Sequence, residues 1–307
     1  VITVLPITPS ILHWVRPNPV IRAVSTIALT WLGISFQLFL LVLTVEFLRL
    51  VIPLSDVTWG QILIVAISVL AIIGFLNAQI PSIKRVTVDV GNGTSGHALA
   101  QISDVHIGSR RPQFLTRIVR RLNTLSVDAV VITGDLVDAS NVSQQDLRPL
   151  ADIHAPTYFI LGNHERYEDT DLIVERLRAL GITVMRDECI DAKPFQFIGL
   201  DEADSPKTVA IGLSNFTPMP DRCRVLLYHK PLGVEDAARW GAHLMLCGHT
   251  HAGQLFPFNF LVKRMFPRIA GSYHVDGLHL YVSPGTGTWG PVLRIGSRSE
   301  VTHLHFI

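Results

Sequence analysis

The sequence predicts an α/β layered domain preceded by two transmembrane α-helices, and three observations carry that expectation. Two long uncharged runs open the chain, short apolar runs then alternate with helix-like stretches, and Asp, Asn and His cluster where several of those runs end. The 307 residues suffice for one large domain or two. A net charge of +1 argues against nucleic acid as a partner, which calls for a strongly basic face. Mean hydropathy is +0.36, high for a soluble protein, and the apolar excess lies near the N-terminus.

Ala23–Val45 is 23 residues without a charge, and Val57–Ile83 is 27. A helix rises ~1.5 Å per residue, so about 20 apolar residues cross a hydrocarbon core of about 30 Å. A buried core helix is the competing reading, but such helices are seldom apolar on every side over this length. The spans are placed at about Ala23–Leu50 and Trp59–Ile80, giving a membrane anchor over residues 1–80 and a second domain over 85–307. Neither run resembles a secretory signal, since the first begins deep in the chain and lacks a small-residue cleavage site. The chain opens on Val1 rather than Met, which leaves room for an upstream segment. Two spans put the N-terminus and the second domain on one side. Arg16, Arg22, Lys84 and Arg85 flank that side, whereas the connecting loop holds Asp56 and, at its edge, Arg49. The positive-inside rule then makes the second domain cytoplasmic.

Beyond Pro81 the periodicity changes. Strands are predicted at Ala98–Ser103, Ala129–Thr133, Thr157–Leu161, Phe195–Leu200, Val225–Tyr228, His243–Cys247, His279–Ser283 and Val301–Phe306. Helices are predicted at Pro112–Ser126, Gln144–Ile153, Asp171–Leu180 and Leu232–Trp240; Pro112 suits a first turn and Gly181 a stop. Cys189, Cys223 and Cys247 are odd in number and unpatterned, which gives no support for a disulfide framework.

The chemistry sits after the apolar runs. Asp104 and His106 follow the first strand, Asp135 the second, Asn163 and His164 the third, His229 the fifth, and His249 with His251 the sixth. In open α/β sheets ligands gather at the carboxyl ends of strands, so these five loops are expected to meet. Carboxylate and imidazole donors suit divalent Mn, Fe, Co or Zn. Two such ions about 3.5–4 Å apart can hold a phosphate and neutralise a leaving oxygen. Asp135 stands alone in its loop and is the candidate to bridge them. Residues two apart in a strand point the same way, so Asp104 and His106 are expected to aim at one ion. Each motif alone has a bland reading, such as a helix cap or turn; five together in this order do not.

The order D-x-H, G-D-x-x-D, G-N-H-E, a lone His and G-H-T-H resembles the calcineurin-like metallophosphoesterase superfamily over residues 85–307, and within it the YkuE-like branch. Gly253 and Gln254 after GHTH, and a closing segment SPGTGTWGPVLRIGSRSEVTHL, support the branch. Ala252 stands where that branch usually has Gly. The resemblance implies a four-layer α/β/β/α sandwich as the catalytic domain. It implies two divalent ions, one held by Asp104, His106, Asp135 and His251, the other by Asp135, Asn163, His229 and His249. His164 would contact the phosphate and assist the leaving group, oriented by a neighbouring acid. The implied activity is hydrolysis of a phosphodiester, phosphomonoester or pyrophosphate by a metal-activated hydroxide at a bacterial inner membrane, with lipid-linked substrates among those some members of the branch take. A catalytically weak metal-binding scaffold or a membrane signalling protein is the alternative.

The remaining residues of interest are weaker. Asp138 and Glu165 are expected to orient ligands, Arg110 and Arg111 to meet phosphate or solvent, and His274 and His279 to be surface or structural, with substrate contact as the alternative. The apolar stretch Gln254–Ile269 is expected either to line a lipid-facing entrance or to pack on its own core.

Overall fold

A computed structural model describes residues 19–91, 93–139, 141–203 and 207–307; Arg16 lies outside them. The two uncharged runs form helices α1 (Pro19–Arg49) and α2 (Asp56–Gln79), each a few residues longer at its start than the sequence predicts. Ser55 caps α2 by accepting from the Thr58 amide at 3.2 Å, which fixes the early start. Both helices leave apolar side chains exposed along their length, among them Val20, Ile27 and Trp31 on α1 and Val57, Ile64 and Val69 on α2.

Then follow β1 (Ser82–Val88), β2 (Ala98–Ile102), α3 (Pro112–Leu122), β3 (Ala129–Thr133), α4 (Gln144–Leu147), a 3-10 turn (Arg148–Asp152), β4 (Thr157–Ile160), α5 (Asn163–Tyr167), α6 (Thr170–Ala179) and β5 (Thr183–Val184). The second half holds β6 (Glu188–Ala192), β7 (Phe195–Gly199), α7 (Thr208–Leu213), β8 (Cys223–Leu227), α8 (Val234–Trp240), β9 (Leu244–Cys247), α9 (Phe258–Met265), β10 (Gly271–Val275), β11 (Leu278–Val282) and β12 (Glu300–Phe306). All eight expected strands form. The expected helix Gln144–Ile153 breaks into α4 and the 3-10 turn, because Pro149 has no amide to continue an α-helical ladder. Strands β1, β5, β6 and β10 and helices α5, α7 and α9 were not expected; β1, β6 and β10 carry half-exposed patterns, and β5 is only two residues long.

Two mixed sheets result, ordered β1-β12-β2-β3-β4-β5 and β10-β11-β9-β8-β7-β6. Period-two alternation explains why they stack. In β3, Ala129 and Val131 face the layer between the sheets, where they meet Phe195, Phe197, Val225 and Leu227 of the second sheet. Val130 and Ile132 face outward onto Phe114, Leu115 and Ile118 of α3 and Leu177 of α6. In β8, Leu226 points the other way, onto Val209 of α7 and Val234 and Ala237 of α8. The product is a four-layer α/β/β/α sandwich. All three cysteines are free.

The helix pair packs on this sandwich through the segment 289–296. The Arg294 amide donates to Gly74 O at 2.9 Å, Asn77 Nδ2 donates to Arg294 O at 3.3 Å, and the Val292 amide donates to Thr30 Oγ1 at 3.1 Å. Small residues permit this approach: a Cβ on Gly33 would lie 3.1 Å from Pro291 Cβ, and one on Gly74 3.0 Å from Ile295 Cγ1. Arg110, which the sequence offered to phosphate or solvent, does neither. It is buried and donates to Ala78 O and Gln79 Oε1 at the end of α2, 3.1 and 3.2 Å away.

Candidate metal centre

The five motif loops leave parallel neighbours at their carboxyl ends: β2, β3 and β4 in one sheet, β8 and β9 in the other. Side chains stitch the two edges together. Gln101 Nε2 donates to both Thr133 Oγ1 and Cys247 O at 2.9 Å, and His229 Nδ1 bonds Thr133 O at 2.7 Å. The His249 amide donates to Asp104 Oδ1 at 3.0 Å, tying the last loop to the first. The sequence-derived site residues Asp104, His106, Asp135, Asn163, His164, His229, His249 and His251 are thereby brought together.

Among the described residues, potential ligand atoms lie within 4.8 Å of one another in three overlapping groups: Asp104 with His106 and His251, His106 with Asp135 and His164, and Asp135 with His229 and His249. Asn163 Oδ1 joins the last at 3.2 Å from His229 Nε2. Ring nitrogens also face each other, with His106 Nε2 3.2 Å from His251 Nε2 and His249 Nδ1 3.2 Å from His229 Nε2. Asp135 Oδ2 lies 3.2 Å from His229 Nε2 and 4.0 Å from His106 Nε2, between the two ends of the cluster. This all-oxygen and nitrogen donor set, buried and facing inward, fits divalent cations.

The backbone is strained at the same places. Asp104, His106, Asp135, His249 and His251 all have positive φ, between 51° and 72°. Side chains other than Gly pay ~1–2 kcal/mol for this region, and such strain clusters at functional sites. It also corrects the strand-period argument for Asp104 and His106: both lie beyond β2, and left-handed turns, not strand alternation, aim them. Gly134, at φ +86°, precedes Asp135 where a Cβ would sit 2.6 Å from His229 Nδ1.

Electrostatics follow burial and charge. Burial alone would raise the Asp135 carboxyl, but His229, His106 and His164 around it hold it well below the usual range. Burial raises Asp104. Burial would lower His229, yet Asp135 beside it pushes it up to about 10. Burial and then His229 depress His249 to about 3, while burial, His106 and Arg294 depress His251. His164 is lowered by burial and by His106, and among the described residues its buried Nδ1 has no hydrogen-bond partner.

Asp138 and Glu165, expected to orient ligands, lie beside the cluster. Asp138 Oδ2 lies 3.6 Å from His106 Nδ1. Glu165 accepts from the amides of Asp135, Gly162 and Val137 at 3.0, 2.8 and 2.8 Å, pinning the second and third loops. Sequence reasoning missed Arg294. It is fully buried and donates to His251 O, Pro284 O and Gly287 O at 3.2, 2.7 and 2.8 Å. Its only signal was a lone Arg inside the apolar stretch GPVLRIG. His274 and His279 form a cross-strand pair on β10 and β11, outside the ligand groups.

Comparison with known proteins agrees with this geometry. Residues 97–253 match the family model described as calcineurin-like phosphoesterase. The chain is 29% identical to an uncharacterised metallophosphoesterase of Campylobacter jejuni, covering 88% of this chain and 78% of that protein. It is 34% identical to a Bos taurus transmembrane protein with metallophosphoesterase domain, covering 77% of this chain and 60% of that protein's length. It is 34% identical to the phosphodiesterase YaeI of Escherichia coli, covering 59% of this chain and 70% of the relative. The two apolar helices and the transmembrane relative together suggest membrane association. From its five converging loops and its matched residues, the chain belongs to the calcineurin-like phosphoesterase family.

Proposed function

We propose that the protein is a membrane-anchored, two-metal phosphoesterase with an anchor within residues 1–80 and a catalytic domain over 85–307. The observation that carries this reading is the position of Asp135, whose Oδ2 faces His106 on one side and His229 on the other. One ion would be held by Asp104, His106, Asp135 and His251, the other by Asp135, Asn163, His229 and His249. Divalent cations held there supply positive charge and Lewis acidity for water activation at a phosphoryl group. The chain supplies the rest. Asp135 shares its charge between both sets. His164, half-buried and edge-on to His106 at 4.7 Å, would meet a phosphoryl or leaving oxygen.

The diester is the first substrate class to test, since one relative is named a phosphodiesterase. A lipid-linked ester fits an active site beside two apolar helices, and the positive-inside bias, with Arg22, Lys84 and Arg85 on one side, supports a cytoplasmic catalytic domain in a bacterial inner membrane. Purified full-length protein should hydrolyse a chromogenic phosphodiester with Mn and lose that activity with chelator. Asp135→Ala should lose both turnover and metal content measured by mass spectrometry. Wild-type turnover and metal content in that variant would end the assignment.

A further inference from the structure

Helix α9 has no buried residue, although five of the eight residues in its sequence FNFLVKRM are apolar. Phe258, Leu261 and Met265 recur at i, i+3 and i+7 and are 42%, 57% and 68% exposed. Lys263 and Arg264 lie off that stripe and are also exposed. A stripe this apolar left uncovered calls for a partner.

Its position relative to α1 and α2 says which. Gly33 and Gly74 each approach Leu293, their added Cβ atoms 3.4 Å from its two methyls, so the antiparallel helices are level there. Counting from Val57, where the uncharged run starts, or from Trp59, where the expected span starts, at ~1.5 Å per residue, a hydrocarbon core of about 30 Å ends between Leu76 and Ala78, about 3–6 Å above that level. Phe36 and Gln37 lie three and four residues along α1 in the opposite direction, hence roughly 7–12 Å inside the boundary. These residues hold the α9 region: the Phe36 and Phe258 rings stack at 4.9 Å, and Gln37 Nε2 donates to Phe256 O at 2.8 Å. That range overlaps the depth at which amphipathic helices lie in the plane of a membrane, about 5–10 Å into the headgroup and acyl boundary.

We propose that α9 is a third membrane contact, an in-plane helix whose Phe258, Leu261 and Met265 enter the lipid and whose Lys263 and Arg264 meet anionic headgroups. This rests on the reading of α1 and α2 as membrane spans. It has a consequence for the site. Phe266, the residue after α9, places its ring 5.1 Å from His249, and Trp289, exposed, stands 6.4 Å from His164. The metal centre therefore opens at headgroup level, where an ester borne by a lipid presents its phosphate.

The test uses the full chain in a Cys189→Ser background, since Cys223 and Cys247 are buried. An environment-sensitive fluorophore is attached at Leu261→Cys, at Met265→Cys as a second position, and at Ile64→Cys on α2, about 12 Å from Asp56. The protein is reconstituted in phosphatidylcholine vesicles with or without phosphatidylglycerol. Nitroxides carried high on the lipid chains should quench both α9 labels roughly twofold or more, while deep nitroxides quench the Ile64 label. Lys263→Glu with Arg264→Glu should reduce the α9 quenching in the anionic vesicles. If both α9 labels are reached by aqueous iodide while the Ile64 label is quenched from the lipid, the spans stand and this proposal falls, leaving a protein as the partner of α9. Iodide reaching Ile64 as well would sink the spans and the proposal together.

Discussion

Arg294→Met is the most informative single change. The guanidinium is fully buried, and burial lowers its pKa to about 10, so it stays charged at neutral pH. Its nitrogens donate to His251 O, Ser297 Oγ, Pro284 O, Gly285 O and Gly287 O at 2.7–3.3 Å. Methionine fills much of the volume but offers no donor, leaving Pro284 O without a partner, while His251 O, Gly285 O and Gly287 O keep only the Gln254 amide, the Glu300 amide and Ser299 Oγ. An orphaned buried carbonyl costs about 1–3 kcal/mol and each lost second bond less, offset by no longer having to desolvate a cation, so a net loss of ~1–3 kcal/mol is expected. At ~2–4 °C per kcal/mol for a chain of this size, the unfolding midpoint should fall by roughly 5 °C. Because the same group fixes the His251 backbone, Mn affinity should also fall by about 10–100-fold. Thermal unfolding in detergent and a Mn titration read the two effects. Arg294→Lys keeps the charge without the planar fork and should recover only part of each. A Met variant with the parent midpoint and Mn curve would refute the reasoning, and full recovery by Lys would show that charge, not geometry, matters.

Three further outcomes are expected. Ala252 sits at φ 52°, ψ 28°, so Ala252→Gly should raise stability by about 0.5–1 kcal/mol in a denaturant titration, and a loss of that size would mean the turn is not strained. Glu165→Gln puts an amide nitrogen among three backbone donors; burial and Asp135 push this carboxyl up to about 7, yet only an acceptor fits, so the variant should lose about 1–3 kcal/mol and bind Mn less tightly. Burial and then His274 push buried His279 down to about 4, below its unfolded value near 6.5, so its contribution is complete above pH ~6.5 and is lost as pH falls toward 4, up to ~3 kcal/mol. His279→Leu should remove that share of the acid destabilisation, seen as a flatter urea midpoint between pH 7 and pH 4 than in the parent chain.

Much of this protein was legible in one dimension. Lengths of uncharged sequence located α1 and α2, and runs such as Ala129–Thr133 located the central strands, because burial on both faces leaves a continuous apolar signature. The residues that cluster at the candidate site were legible too: Asp104, Asp135, His229 and His251 each follow an apolar run, where polar residues have few packing reasons to recur. Tertiary structure decided what depends on distance in space. Edge strands β6 and β10 and helix α9 carry mixed patterns whose partners lie far along the chain, so no local periodicity marks them. Arg294 reads as an interruption in an apolar segment until Pro284, Gly287 and His251 close around it. The aim of Asp104 and His106 comes from left-handed turns whose own amides donate to Gly134 O and Asp135 O of the next loop, a cost that local preference opposes and only the assembled sheet edges sustain.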